Sequence, residues 1–169
     1  MDVGFPQLVG EVLRRHGLPG SYLRLEITES VIMTDPAALL HLIEQIRQFD
    51  VQMALDDFGT GYSSLSYLAQ LDIDYLKLDK GLVHNISRSR RSAAIVRSTL
   101  AMAGALDMTV VAEGIESEED WRKLRAEGCP FGQGFYFSAA VSGADFEKLP
   151  TRYGIPTSPT AGSPVEPLV

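Results

Sequence analysis

The chain has little of what marks a secreted, membrane-spanning or polymer-binding protein. Cys129 is its single cysteine, so no intrachain disulfide can form and a reducing compartment is expected. The start, Met1-Asp2-Val3-Gly4-Phe5-Pro6, has neither the basic residues nor the long apolar stretch of a secretory signal. No run of residues approaches the length of a membrane span. The expectation is a cytoplasmic domain with no membrane segment. Positive charge is also short: 15 Lys and Arg stand against 22 Asp and Glu, a formal net charge of −7. That balance argues against a nucleic-acid polymer or an anionic membrane surface as partner. It leaves room for a small anionic ligand held through metal ions. The three histidines, His16, His41 and His84, lack metal-ligand spacing.

What is present suits one globular domain. The 169 residues are 45% hydrophobic, enough for a core of its own. Apolar residues at Leu8, Val9, Val12 and Leu13 predict a short helix over 7–16, stopped by Gly17. Residues 22–28 alternate, with Leu23, Leu25 and Ile27 on one face and Arg24, Glu26 and Thr28 on the other, which predicts a strand. Asp35-Pro36 opens a helix through Ile46. A strand follows at 51–57, then a short helix at 65–70 and a strand at 75–79. A long helix runs from about Ser92 to Leu106. A strand spans 109–113, and a helix capped by Ser117 carries acids in its first turn. Residues 129–138 read as a strand-like stretch, and a last helix runs from Ser142 through Leu149. The folded part is expected over 1–152, and the Pro-, Ser- and Thr-rich residues 153–169 are expected to be a disordered tail.

Alternating strands and helices imply a parallel sheet with helical crossovers. The chemistry gathers around Asp56-Asp57-Phe58-Gly59-Thr60-Gly61-Tyr62-Ser63-Ser64-Leu65. An apolar strand, Val51 to Leu55, ends in two acids, followed by glycines that free the turn and serines that can cap a helix. Polar residues near strand ends fall at Glu26, Asp56, Lys77, Glu113 and Gln133, spaced by 30, 21, 36 and 20 residues, about one βα unit each. A (β/α) barrel collects such positions at one rim, where reaction sites gather. Carboxylates brought together there repel one another, and hard divalent cations relieve this. Oxygen-only ligands favour Mg²⁺ or Mn²⁺ over zinc. Lys77 among those acids can stabilise phosphoryl charge or orient a nucleophilic water. A set of structural ion pairs would have the same appearance.

Leu25-Glu26-Ile27-Thr28-Glu29-Ser30, Asp56 through Leu65, Leu76-Lys77-Leu78-Asp79, Ala112-Glu113-Gly114-Ile115-Glu116 and Gln133-Gly134-Phe135 together resemble the EAL-type cyclic di-GMP phosphodiesterases of bacterial second-messenger signalling. The resemblance covers about residues 5–149 and implies an α/β fold, a TIM-like (β/α) barrel of the EAL type. It implies metal-dependent hydrolysis of cyclic di-GMP to the linear dinucleotide pGpG at a two-metal site using Mg²⁺ or Mn²⁺. It assigns Glu26 and Asp56 to one metal and Asp57 to the second. Lys77 would lie beside the attacking water, with Glu113 and Gln133 completing the metal and water shell. Glu29 would anchor the loop after Asp57, which links the active site to homodimerisation, and Glu116 would be supporting. An upstream sensor or diguanylate-cyclase domain in a longer parent protein is a further implied partner.

The resemblance also marks a departure. The family's Glu-x-Leu motif on the first strand and a metal-binding Asn on the second have no counterpart here, so the barrel is expected to be N-terminally truncated. The first metal would lose two protein ligands, and the strand at 22–28 would present an open edge. Two readings of function follow: a phosphodiesterase domain that is a fragment of a larger protein, or a catalytically silent module acting through cyclic di-GMP binding or dimerisation. Elsewhere, plainer expectations hold. Arg88-Ser89-Arg90-Arg91 reads as a solvated loop, Trp121 as helix packing, Cys129 as a small core residue, and Phe135-Tyr136-Phe137 as core.

Overall fold

A computed structural model describes residues 4–59 and 68–146. Five strands form one sheet in the order of the sequence: β1 (Arg24–Thr28), β2 (Gln52–Phe58), β3 (Tyr75–Leu78), β4 (Thr109–Ala112) and β5 (Phe131–Gly132). Every pairing is parallel. Parallel neighbours need a crossover, and helices supply it. The helices are α1 (Phe5–His16), α2 (Glu29–Thr34), α3 (Pro36–Arg47), α4 (Lys80–Val83), α5 (Arg90–Ala105), α6 (Glu118–Ala126) and α7 (Gly143–Phe146). The architecture is a TIM-like α/β barrel left open: five strands in a row, with no further strand paired to β1 or β5 among the described residues.

Local chemistry explains the element ends. Asp35 caps α3 by accepting a hydrogen bond from the Ala38 backbone N–H at 3.1 Å, with Pro36 opening the helix. Ser89 does the same for α5 and Ser117 for α6. The two faces of the sheet differ sharply. Met53, Leu55, Leu76, Leu78, Val110 and Ala112 are buried in one core with Leu39, Ile43, Ile46, Val96, Ala103 and Leu124 from the helices. By register, Glu26 lies beside Ala54, Ala54 beside Tyr75, and Lys77 beside Val111. The second face therefore carries Arg24, Glu26, Gln52, Asp56, Tyr75 and Lys77. Parity of the strands alone sends the polar residues there.

The acid pair sits on a break in register. Leu55 pairs with Leu76, but the next pairing joins Phe58 to Leu78, so β2 spends one more residue than β3 over that interval. Asp57 is the extra residue, with φ of 58°, a bulge that Asp tolerates better than most side chains. The bulge lets Leu55 and Phe58 both face the helices while Asp56 faces the other way.

Several expectations change. The strand at 22–28 begins at Arg24, because a 3₁₀ turn, Gly20–Tyr22, precedes it. The short helices α2 and α4 occupy stretches expected to be connections. Arg90 and Arg91 are exposed as expected but belong to the first turn of α5, not to a loop. The strand-like stretch at 129–138 contracts to Phe131–Gly132 and then turns. Residues 65–67 of the helix expected at 65–70, the end of the one expected from Ser142, and the tail 153–169 lie outside the described residues, while Gln70 already belongs to a turn.

Candidate active site

The sheet brings three acids from three strands onto one ammonium. Lys77 Nζ lies 2.8 Å from Glu26 Oε2, 3.1 Å from Asp56 Oδ1 and 2.8 Å from Glu113 Oε1. Glu26 comes from β1, Asp56 from β2, Lys77 from β3, and Glu113 directly follows β4. Lys77 is only 8% exposed. Burial alone would lower its pKa, but hydrogen bonding and charge from Glu113, Glu26 and Asp56 outweigh that, and the ammonium is held above the ordinary lysine value. The three acids thus favour the charged form of Lys77.

Lys77 donates a hydrogen bond to Glu26 Oε2 at 2.8 Å, and the buried Glu113 Oε1 lies equally close to the ammonium. Asp57 is exposed at the rim, and its backbone N–H donates to Asp56 Oδ1 at 2.9 Å, fixing the Asp56 carboxylate from its other neighbour. Glu29, 4% exposed at the start of α2, accepts a hydrogen bond from the Gly59 N–H at 3.3 Å. It thereby ties the end of β1 to the turn leaving β2; residues 60–67 of that loop lie outside the description.

Gln133 and Glu116 are placed on the same rim but not in the cluster. The Gln133 backbone N–H donates to Ala112 O at 2.8 Å, and its carbonyl accepts from Ile115 N at 3.1 Å. Both side chains are exposed, and neither pairs with Lys77 or its three acids among the described residues. Two glycines shape this part of the rim. Gly114, directly after Glu113, has φ of 65°, and a Cβ there would collide with Lys80. Gly134 lies so close to the Ile115 backbone that a side chain would not fit.

Other interactions had no clear signal in the sequence. Arg24 lies over the Tyr75 ring, 3.3 Å from Cζ to the centroid, on the same sheet face as the acid cluster. Asp120 is 6% exposed and accepts from Ser87 Oγ at 2.8 Å and Ser117 Oγ at 2.7 Å. It thus ties the segment after Glu113 to the turn between α4 and α5. Its position in the first turn of a helix advertises only a favourable helix charge. Arg47 joins the end of α3 to Asp72 and Asp74 at 3.0 and 2.9 Å.

The plainer expectations divide. Cys129 is core, 1% exposed, and burial pushes its thiol up to about 11. Trp121 packs edge-on against Phe137, with centroids 5.4 Å apart. Phe135 and Tyr136 are not core: they are 73% and 38% exposed, because the chain turns after Gly134 instead of continuing the strand.

The donor chemistry of Glu26, Asp56, Asp57 and Glu113 is all hard oxygen, which suits Mg²⁺ or Mn²⁺. Among the described residues, no group of three or more His, Cys, Asp or Glu is already arranged as a metal site; the carboxylates close on Lys77 instead. The residues fit such an ion in kind.

Comparison with known proteins gives this arrangement a context. A family model described as EAL domain matches residues 1–140. The chain is similar to the cyclic di-GMP phosphodiesterase NbdA of Pseudomonas aeruginosa, 37% identical over 161 residues, which is 94% of this chain and 21% of NbdA. The chain thus spans about a fifth of that relative's length. Among solved structures, the EAL domain of Mycobacterium smegmatis DcpA matches with a TM-score of 0.85 at 37% identity, covering 90% of this chain and 68% of that one. The PaMucR phosphodiesterase in complex with c-di-GMP matches at 0.80 and 38%, covering 85% and 58%. Klebsiella pneumoniae BlrP1 matches at 0.75 and 35% as a calcium complex with cyclic di-GMP, covering 79% and 34%. Its manganese complex matches at 0.74 and 36%, covering 79% and 35%.

Proposed function

The chain belongs to the EAL-domain family, and from that premise we propose that it serves a divalent-metal-dependent phosphodiesterase reaction that opens cyclic di-GMP to pGpG. The single observation carrying this reading is the meeting of Glu26 of β1, Asp56 of β2 and Glu113 at the end of β4 within 3.1 Å of Lys77 Nζ on β3. The similarity to BlrP1, solved with calcium and with manganese, supports a divalent cation, and Mg²⁺ or Mn²⁺ suits the donors best. Glu26, Asp56, Asp57 and Glu113 would hold it. When bound, such ions supply Lewis acidity and a water acidic enough to ionise near neutral pH.

The chain's own groups divide the remaining work. Lys77, kept charged by its neighbours, opposes the negative charge that builds on the phosphoryl oxygens. Gln133 extends the polar rim beside Glu113 for the water and phosphate. Glu29 holds the turn after Asp57 through Gly59. In the overall step, water oxygen bonds to phosphorus, the bond from phosphorus to one 3′-oxygen breaks, and that oxygen takes a proton. One water is consumed, and the product keeps its 5′-phosphate. We place the chain in the cytoplasm and within a longer signalling protein with a sensor or cyclase domain, its loop after Asp57 contributing to a homodimer. Residues 1–152 then form the folded unit and 153–169 the tail. Among the described residues, no helix is long and apolar enough to cross a membrane.

A second reading draws on the open sheet and on carboxylates already paired with Lys77: a silent module that binds cyclic di-GMP or dimerises without turnover. Chromatography of cyclic di-GMP incubated with the folded chain and Mg²⁺ or Mn²⁺ separates the two. The enzyme reading expects pGpG from wild type and none from Asp56→Ala. Thermal stabilisation by cyclic di-GMP without product would support the silent module.

A further inference from the structure

We propose that Asp120 is a positioning residue for the reaction. By joining Ser87 to Ser117 it fixes the loop that leaves β4, and through that loop the direction of the Glu113 carboxylate. The inference rests on the metal-dependent reading above and adds to it a residue outside the acid cluster on which the cluster's geometry depends.

Glu113 needs such a hold. Its backbone N–H donates to Leu78 O at 3.1 Å, which carries the pairing of β3 and β4 one residue past the strand. The next residue is Gly114, with φ of 65°. Glycine moves between backbone conformations at little cost, so the strand does not set the course of the chain beyond this point. Contacts farther along must do so. The demand is tight, because a functional side chain has to stay within about 0.5 Å of its productive place.

The loop is held from two directions. On the β5 side, the Ile115 N–H donates to Gln133 O at 3.1 Å, and the Ile115 carbonyl accepts from the Tyr136 N–H at 2.9 Å. On the β3 side, Asp120 accepts from Ser117 Oγ at 2.7 Å and from Ser87 Oγ at 2.8 Å. Ser87 is a firm anchor, since it follows Val83 and Ile86, both buried in the core. Between these points Lys80 packs so closely on Gly114 that a Cβ there would collide with it. The segments leaving β3 and β4 are therefore joined at one end by Lys77 and Glu113, 2.8 Å apart, and at the other by Asp120. A carboxylate suits the second junction: it accepts a hydroxyl at each oxygen, which an amide cannot do. Asp120 is buried, so losing either hydroxyl leaves an oxygen with a poorer partner.

Two serine variants of the 169-residue chain test this without changing its charge. Ser87→Ala removes the bond between the two segments and leaves Ser117 capping α6. Ser89→Ala, two residues on, removes the cap of α5 and lowers stability without touching Asp120. Each is compared with wild type by side-chain NMR of Lys77 without metal and by calorimetric titration with Mn²⁺. Ser87→Ala is expected to shift the Lys77 signal and to bind Mn²⁺ about tenfold more weakly, whereas Ser89→Ala matches wild type in both. A merely structural Asp120 would leave both readouts unmoved in folded Ser87→Ala, and either one unmoved overturns the proposal. Equal changes in Ser89→Ala overturn it as well, since general loosening would then account for them. If wild type binds no Mn²⁺, the metal-dependent reading fails, and the metal-free Lys77 signal alone decides the positioning.

Discussion

At the residue scale, Lys77 and Asp57 carry the site's most specific physical demands. Lys77→Met leaves Glu26, Asp56 and Glu113 facing one another without a cation. The expected loss of stability is roughly 1–3 kcal/mol, below the 3–5 kcal/mol of a fully buried pair because Glu26 is half-exposed. Because the folded ammonium is held above its ordinary value of 10.5, its contribution is fully present below that pH. It fades as pH rises beyond it. Urea unfolding at pH 7, 9 and 11 therefore shows a constant gap between wild type and variant at the first two and a smaller gap at the third. Asp57, with φ of 58°, tests backbone apart from charge. Asp57→Asn is expected to stay within about 0.5 kcal/mol of wild type, and Asp57→Val to lose about 1–2 kcal/mol, read from the same curves. The acid pair and Lys77 were legible from sequence because strand parity places them. The left-handed bulge at Asp57 was not, since it depends on how β2 registers against β3.

At the element scale, strands and long helices followed their apolar periodicity, while the short pieces followed tertiary contacts. Helix α2, Glu-Ser-Val-Ile-Met-Thr, is rich in branched residues that resist helix formation; the burial of Ile32 at 6% exposure holds it. The run after Cys129 has the aromatics of a strand but ends early, because Gly134 lies against the Ile115 backbone. Asp120 shows the same limit from another side. Its tether to Ser87 and Ser117 joins segments 33 and three residues away, and nothing local predicts the longer contact. Asp120→Ala is expected to cost about 1–2 kcal/mol through the two lost hydroxyl partners. Hydrogen exchange in 113–120 should rise in that variant and not in Glu119→Ala, whose side chain is exposed.

At the scale of the whole molecule, the five strands form an open row with β1 at its edge. The nearby helix α1 exposes Leu8 and Val12, 55% and 42%. A strand with one edge open among the described residues, beside exposed apolar side chains, favours association, so light scattering is expected to give a mass above the 18.5 kDa of one chain. The barrel type was legible from the order of motifs, because each motif closes one strand of the row. The central claim concerns bond making at phosphorus, and mass spectrometry of the products formed from cyclic di-GMP in heavy-oxygen water, with Mg²⁺ or Mn²⁺, tests it most directly. The account predicts pGpG carrying one heavy oxygen on its 5′-phosphate from wild type and no product from Asp56→Ala. A folded wild-type chain that leaves cyclic di-GMP intact with either metal would contradict it.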